Sequence, residues 1–262
     1  MVEVKSLSGS AKGFAPVREI SFKLQNGQIY GVLGNETSGG STLLALLAGV
    51  LSPYTGEVRL GGFDTVKNAA EARRQVGYLP SACAPTTDLT PLEYLLLVAD
   101  LRGLEYNRSI RRIQELLDWA SLDGKRDTLI AKLSPSEIRL LGIAGVLLGD
   151  PQFLMLDEVT SSLPVRDAAA IRKWLEDIRG EKTVFWHAQN AAELRTVCDR
   201  ILILQDGVLV DIVSPDSPIP ESAEQKSAPA PRTSKSDQKP TRWSLLSREY
   251  EVIDTEDEEE RN

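Results

Sequence analysis

The chain has 262 residues, 42% of them hydrophobic, which suffices for one large packed domain with a tail or for two small domains. Its formal net charge of −8 excludes a basic nucleic-acid-binding surface, so we expect no nucleic-acid partner. No apolar run reaches the roughly 18 residues that span a bilayer, and two distant cysteines suit a reducing compartment, so we expect a soluble cytoplasmic chain.

The first half of the chain predicts short strands around one glycine-rich loop. The turn signal Asn26-Gly27 leads into an apolar strand, and the loop that follows runs into an apolar helix pattern that begins at Leu43. A polar turn over Ser8–Gly13 separates the first two strands. The predicted strands of this half are Val2–Lys5, Ile20–Leu24, a strand from Ile29, Glu57–Leu60 and Val76–Leu79.

The second half predicts helices followed by further α/β units. Thr90, Pro91 and Glu93 form a capping box with proline at the first helical position, which predicts a helix start. Phe153–Leu156 is a short continuous apolar run, which predicts a strand buried on both faces. The predicted elements are helices over Leu92–Leu101, Ile110–Ala120, Ser134–Leu148 and Arg166–Arg179, strands at Phe153–Leu156 and Thr183–Trp186, and a hairpin over Ile201–Ile212.

From Ser214 the composition shifts to proline, serine, lysine and acidic residues. Such a segment cannot form a core, so we predict a packed domain over residues 1–213 and a disordered linker with an acidic tail over residues 214–262. A small apolar island at Trp243–Ile253 has two interpretations. It is either part of a solvated tail or a short segment that docks a partner protein.

The glycine-rich loop is the stretch around which the rest of the chain is organised. In a P-loop, with the pattern G-x-x-x-x-G-K-[ST], backbone amides surround the phosphates and the lysine reaches the terminal ones. Gly34, Gly39 and Ser41 occupy their places in this pattern, but Gly40 stands at the lysine position. The loop therefore has the frame of a phosphate site without its main cation.

Several short motifs follow the loop in a fixed order. They are Val76–Pro80, Leu101–Leu104, Leu147–Pro151, Asp157-Glu158 and Cys198–Ile201. With these motifs the chain resembles, over roughly Val2–Val213, the nucleotide-binding domain of ATP-binding cassette (ABC) transporters, in particular the subfamily serving ABC-2-type exporters. The resemblance implies an α/β, P-loop NTPase-like fold. Its parts are a RecA-like, mostly parallel sheet, an N-terminal antiparallel β-subdomain and an inserted helical subdomain at about residues 82–150.

The resemblance also implies two such domains, paired head to tail, that sandwich two ATP molecules between one subunit's P-loop and the other's signature motif. It assigns Mg²⁺ binding to Ser41 and Asp157. It assigns nucleotide binding to Gly34, Asn35, Glu36, Thr37, Ser38, Gly39, Gly40, Ser41 and Thr42.

Two more P-loop positions depart from the family pattern G-x-x-G-x-G-K-S-T. Thr37 replaces the second glycine, and a β-branched residue resists the positive φ that glycine allows. Glu36 adds a carboxylate beside the phosphate seat, and like charges about 4 Å apart repel by roughly 1 to 4 kcal/mol. We therefore predict that ATP and Mg²⁺ bind weakly or not at all.

Other contacts of the family's nucleotide site are altered as well. The aromatic residue that stacks on adenine aligns with Ala11, and Phe14 three residues later is the alternative. The glutamine that senses Mg²⁺ is replaced by Ser81. The interface motif S-x-L-D ends here in Pro164, so its aspartate is lost.

The family's signature motif, L-S-G-G-Q, appears here as Leu133, Ser134, Pro135, Ser136 and Glu137. In the family its glycines let helix N-terminal amides approach the partner's γ-phosphate. The residues present instead make a complete capping box, in which Pro135 removes one amide donor and Glu137 places a carboxylate at the helix end. We predict an ordinary, well-capped helix that repels phosphate.

Asp157-Glu158 is the one pair that stays intact. The resemblance implies that Asp157 holds Mg²⁺ through water and that Glu158 is the catalytic residue that orients the attacking water. The alternative is that the pair is kept for folding or cap hydrogen bonds. The switch histidine, which contacts the γ-phosphate, aligns with Gln189 when counted without gaps from Cys198, and the single histidine, His187, two residues earlier, is the alternative.

Together these changes predict a catalytically degenerate ABC subunit on the inner face of the cell membrane. It would dock on an ABC-2-type permease and pair with a second ABC ATPase subunit. Phosphoryl transfer is mostly positioning and electrostatic stabilisation, so it requires the altered cations and donors. The alternatives are a working exporter ATPase with divergent motifs and an interaction scaffold whose tail carries the function. In a degenerate subunit, Gly40→Lys is expected at most to restore binding.

Overall fold

The computed structural model describes residues 1–10, 15–82 and 85–219. The strands in these ranges are β1 (Val2–Gly9), β2 (Val17–Leu24), β3 (Ile29–Leu33), β4 (Thr55–Leu60), β5 (Phe63–Asp64), β6 (Val76–Leu79), β7 (Phe153–Asp157), β8 (Thr183–Ala188), β9 (Arg200–Gln205) and β10 (Val208–Val213). The helices are α1 (Gly40–Leu47), α2 (Ala69–Arg74), α3 (Pro91–Leu101), α4 (Tyr106–Trp119), α5 (Pro135–Leu147), α6 (Val165–Asp177) and α7 (Ala191–Val197). Ala11, Phe14 and the segment Trp243–Ile253 lie outside the described residues.

The described strands form two sheets. The larger sheet has the order β10-β9-β3-β8-β7-β6, and its neighbours are parallel except for the antiparallel pair β9 and β10. The smaller sheet has the order β2-β1-β4-β5 and is antiparallel throughout. A mostly parallel sheet with an N-terminal antiparallel sheet is the predicted fold class, which is thereby confirmed.

The central strands of the larger sheet are covered on both faces. Every residue of β3, β7 and β8 is buried, as expected of parallel strands between layers. Alternate residues point into different cores: Ile29 and Leu33 pack with the helices inserted after β6, whereas Tyr30 and Val32 pack with α1 and the smaller sheet. The sheet is therefore held rigidly between two apolar layers.

Strand β1 is longer than its sequence pattern predicts. It covers Val2–Gly9 instead of Val2–Lys5 and so takes in the first residues of the expected turn. Ser6 has a positive φ of 44°, and the register with β2 shifts at this point. The irregularity returns Leu7 to the core after two exposed residues. A bulge of this kind breaks the two-residue alternation from which strand length is predicted.

The regular elements in the described residues between β6 and β7 are all helical. They are α3, α4, α5 and two 3-10 turns at Asp123–Lys125 and Ile130–Lys132. The predicted capping box at Thr90 is present, with both reciprocal hydrogen bonds to Glu93. The helical insertion is therefore confirmed, while its bounds at residues 82 and 150 stay a prediction. Over the described ranges, no helix is long and apolar enough to cross a membrane.

The sequence patterns did not predict β5, α2 or α7. Strand β5 has two residues, α2 has six and α7 has seven. Two turns or fewer of helix cannot display a repeating apolar face, and the single buried residue of α2 is Ala72. Contacts with the rest of the fold stabilise these short elements, so no local sequence pattern indicates them.

The packing of α5 against β6 can be tested at Gly77. A Cβ added to Gly77 would lie 2.4 Å from Cγ1 of Val146 and 3.0 Å from Cγ of Pro151. We expect Gly77→Ala to lower the free energy of unfolding by about 1–3 kcal/mol through overpacking, measured by urea denaturation. Gly124→Ala is the matched control, because a Cβ there meets nothing within 4 Å. Equal stability of the two variants would contradict this packing.

Candidate functional site

Residues from several strands meet at the carboxyl edge of the larger sheet. The P-loop (residues 34–39) follows β3, Ser81 follows β6, Asp157 ends β7 and His187 lies near the end of β8. The register of the parallel strands places Val32 and Asp157 on either side of His187. In open α/β sheets ligands bind at this edge. The predicted P-loop and strand-end residues are therefore brought together.

The P-loop is closed by its own hydrogen bonds. The side chain of Asn35 accepts from the amide and the hydroxyl of Thr37, at 3.0 and 2.9 Å. The amide of Ser38 donates to the carbonyl of Asn35 at 3.0 Å. The Ser38 hydroxyl donates to the same carbonyl at 2.8 Å and accepts from the amide of Gly40 at 3.4 Å. Amides of the kind that surround a phosphate in a P-loop thus have acceptors inside the loop.

The loop makes its left-handed turn at Gly39 and not at Thr37. Gly39 has a φ of 86° and caps α1 without a side-chain hydrogen bond. A Cβ at Gly39 would lie 2.8 Å from Cγ1 of Val17. Thr37 has no positive φ, so the β-branched side chain is accommodated without the backbone strain that the family pattern predicts. Behind the loop, the hydroxyl of Thr42 donates to the carbonyl of Ala15 at 2.6 Å.

His187 joins the strand end to the P-loop. Its Nδ1 lies 2.7 Å from Oδ1 of Asp157, and its Nε2 lies 3.2 Å from the carbonyl oxygen of Gly34. The side chains of His187 and Asp157 are only 3% and 2% exposed. A carboxylate and a carbonyl are both acceptors, so the protonated ring, which donates from both nitrogens, satisfies this arrangement. The two residues therefore form a buried ion pair.

This pairing shifts the pKa of both residues. Burial alone lowers the pKa of His187, but the hydrogen bond and the charge of Asp157 outweigh burial, so the pKa of His187 is raised. Burial raises the pKa of Asp157, but the hydrogen bond and charge of His187 outweigh it, and the pKa of Asp157 is lowered. Ser41 and the amide of Ser81, 3.4 Å from Oδ2, also hydrogen-bond this carboxylate.

The ring of His187 lies against the P-loop at the lysine position. A Cβ added to Gly40 would be 2.3 Å from Nε2, 2.4 Å from Cδ2 and 2.9 Å from Cε1 of His187. Real Cβ atoms do not approach other atoms at such distances. Any side chain at position 40 therefore requires His187 to move or to be replaced.

Glu158 differs from its neighbour Asp157. It has a positive φ of 53°, an uncommon conformation for a residue with a side chain, and its buried Oε1 has no hydrogen-bond partner among the described residues. Burial raises the pKa of Glu158, although Gln189 and Ser161 hydrogen-bond its side chain. Gln189, at the predicted switch position, therefore contacts the candidate catalytic carboxylate.

The signature residues form the N-terminal end of α5, which their own side chains cap. Ser134 accepts from the amide of Glu137 at 3.3 Å, and Glu137 Oε2 accepts from the amide of Ser134 at 2.8 Å, which is the predicted capping box. Oε1 of Glu137 pairs with Nζ of Lys125 at 2.6 Å, and this bond is the main reason that its pKa is lowered. Pro135 is in the first turn, and the Ser136 hydroxyl donates to Asp167 of α6. Leu133 is buried just before the helix.

Sequence comparison identifies the family. A family model described as ABC transporter matches residues 17–161, more than half of the chain. The chain belongs to the ABC transporter family. The matched residues include the P-loop, the signature residues Leu133–Glu137 and the pair Asp157-Glu158.

Similar proteins include subunits and larger transporters. The chain is 26% identical to the ABC transporter ATP-binding protein NatA of Bacillus subtilis over 196 residues, which are 74% of this chain and 80% of that protein. It is 31% identical over 193 residues to the mouse phospholipid-transporting ATPase ABCA3, covering 74% of this chain and 11% of that protein. The chain thus spans most of the first relative and a small part of the second.

The fold is also that of solved ABC ATPase structures. The dimeric ATP-binding cassette MJ0796, in a post-hydrolysis state bound to ADP and Pi, superimposes with a TM-score of 0.73 at 21% identity. The superposition covers 83% of this chain and 100% of that one. At this identity the likeness establishes the shared fold.

Domains of this ABC fold bind ATP with Mg²⁺, and in the described arrangement several groups at the corresponding positions are bonded within the chain. Both carboxylate oxygens of Asp157 have partners within the chain, and loop amides are bonded to Asn35 and Ser38. His187 directs both N–H groups inward.

Sequence reasoning missed the contact between Gly40 and His187. The two residues are distant in the chain and meet through the pairing of β3 with β8. Counting without gaps assigns the switch position to Gln189 and leaves His187 without a role. The available signal was the coincidence of a missing lysine with a histidine directly after the predicted strand Thr183–Trp186.

The structural role of the signature cap can be measured at Ser134. We expect Ser134→Ala to lower the free energy of unfolding by about 1 kcal/mol, because the amide of Glu137 loses its acceptor. Urea denaturation checks this value. Thr87→Ala, at an exposed loop threonine, is the control and should change stability by less than about 0.5 kcal/mol. An unchanged Ser134→Ala variant would show that the cap does not stabilise α5.

Proposed function

We propose that this chain is a catalytically degenerate ATP-binding-cassette subunit of an ABC-2-type exporter. The observation that carries the proposal is the state of Asp157, whose carboxylate is bonded to His187, to the amide of Ser81 and to Ser41. In the family this carboxylate serves Mg²⁺, whereas here a protein cation takes that place.

The remaining changes also disfavour ATP hydrolysis. Phosphoryl transfer depends on cations and donors that stabilise the transferred group, and losing one such donor typically lowers the rate about 10²- to 10³-fold. Position 40 offers no cation, and Glu137 and Pro135 close the helix end that would face a partner's nucleotide. Each nucleotide site of an ABC dimer combines the P-loop of one subunit with the signature motif of the other. The changes in this one chain therefore alter both sites.

The proposed partners follow from the family. ABC ATPase subunits pair with one another and act with a membrane permease, so we infer that this subunit pairs with a competent ATPase subunit. It would dock on an ABC-2-type permease at the cytoplasmic face of the membrane. NatA is itself an ABC transporter ATP-binding protein of comparable extent. The segment Trp243–Ile253 remains a predicted docking site for a further protein.

A working ATPase with divergent motifs is the second candidate, and Glu158 favours it. The buried oxygen of Glu158 without a partner and its raised pKa are features of a carboxylate available to a water molecule. The charge of His187 lowers the pKa of Glu158, and the uncharged Gln189 lowers it less, but burial outweighs both. Under this candidate, hydrolysis by the purified chain depends on Glu158.

Turnover by the full-length chain decides between the two candidates. We expect phosphate release from Mg²⁺·ATP to equal the buffer rate and to stay unchanged in Glu158→Gln. Glu181→Gln is the matched control, since Glu181 is exposed at the opposite, amino end of β8. A rate that falls about 10²-fold in Glu158→Gln, but not in Glu181→Gln, would contradict the degenerate assignment.

The partner assignment is tested by co-expression with an ABC-2-type permease and a competent cassette subunit. We expect one complex that contains all three proteins, whose turnover is lost when the catalytic carboxylate of the competent subunit is replaced. Replacing Glu158 should leave that turnover unchanged. Purification of this chain as an active homodimer would contradict the proposed pairing.

A further inference from the structure

The ring of His187 occupies the space that a side chain at position 40 would need. Position 40 has no side chain, and three ring atoms of His187 lie within 2.9 Å of the point where a Cβ would stand. In the P-loop pattern this position carries the long side chain of lysine. The space beside the loop is therefore filled from β8 instead of from the loop itself.

The ring of His187 is held in place by its strand and by its hydrogen bonds. His187 pairs in register with Val32 on one side and Asp157 on the other, in a strand whose residues are all buried. Its two nitrogens are hydrogen-bonded to Asp157 and to the carbonyl of Gly34. Moving the ring would break both bonds and leave the carboxylate of Asp157 buried without its counter-ion.

The same bonds prevent His187 from replacing the lysine chemically. Both ring nitrogens lie within hydrogen-bond distance of groups of the protein. Nε2 lies 3.2 Å from the carbonyl oxygen of Gly34, at the first residue of the P-loop, so the ring ties the loop to the strand end. Neither ring nitrogen is therefore left to meet a ligand at the loop.

We propose that His187 is an internal plug of the P-loop, which bars any side chain at position 40 and holds the loop in its closed, self-bonded form. The plug deepens the proposed function and rests on it, because it names the residue that keeps nucleotide out. It also narrows the expectation that Gly40→Lys at most restores binding, since the lysine alone would collide with the ring. Only the double exchange Gly40→Lys with His187→Ser opens the site.

A double-variant cycle on stability tests the plug without any nucleotide. We expect Gly40→Ala to lower the melting temperature by roughly 5 °C in the native background, because the added Cβ overpacks against the ring. In the His187→Ser background the same substitution should have no further effect. Gly124→Ala, whose Cβ meets nothing within 4 Å, is the control in both backgrounds. An equal effect of Gly40→Ala in both backgrounds would overturn the proposal.

His187→Ser leaves the buried carboxylate of Asp157 unpaired, so the experiment also uses a second background variant. In Asp157→Asn/His187→Ser the buried charge is removed, and the cycle is repeated there if His187→Ser does not fold. Asn has the size of Asp and keeps acceptor and donor groups for Ser41 and the amide of Ser81. Coupling between positions 40 and 187 must appear in whichever background folds, and its absence overturns the plug.

Nucleotide affinity provides the second readout, with fluorescent ATP as the probe. We expect Gly40→Lys/His187→Ser to bind at least about 10-fold more tightly than Gly40→Lys alone, a ratio equivalent to about 1.4 kcal/mol. Equal affinity of the two variants overturns the plug. The native chain separates this result from the proposed function, because tight binding and Glu158-dependent hydrolysis by the native chain would refute degeneracy whatever the cycle shows.

Discussion

The buried ion pair between His187 and Asp157 is the interaction on which the candidate site depends. It joins β8 to β7 through a 2.7 Å bond and continues to the P-loop through the carbonyl of Gly34. A buried charge without its partner typically costs about 3–5 kcal/mol. Each member therefore fixes the other, and the geometry of three segments at the carboxyl edge of the sheet follows from one contact.

At the P-loop and at the start of α5, several polar groups are satisfied from within the chain. At the P-loop, Asn35 and Ser38 supply acceptors for loop amides, and at the start of α5, Glu137 satisfies the helix end and is itself neutralised by Lys125. An anion site needs unsatisfied donors and positive potential. At the two surfaces that an ABC dimer places on either side of a nucleotide, the donors named above are bonded within the chain.

The sequence predicts what is local and misses what depends on strand order. The capping boxes at Thr90 and Ser134 need only four consecutive residues, and both are present. The extension of β1 beyond Lys5 depends on a bulge at Ser6, which no alternation pattern reveals. The overlap of position 40 with His187 arises because β3 and β8 are neighbours in the sheet. The list of altered motifs therefore does not reveal the overlap of position 40 with His187.

Asp157 and Glu158, which form one motif in the sequence, have different environments in the structure. Asp157 has a structural role that accounts for its retention, because His187 would be a buried cation without it. Glu158 has no such role: it holds a strained φ of 53° and keeps one buried oxygen without a partner among the described residues. Such features persist only where the surroundings impose them, and the hydrogen bond from the backbone amide of Glu158 to the carbonyl of His187 does so. The two residues of the acidic pair therefore differ: Asp157 is held by His187, whereas one buried oxygen of Glu158 has no partner among the described residues.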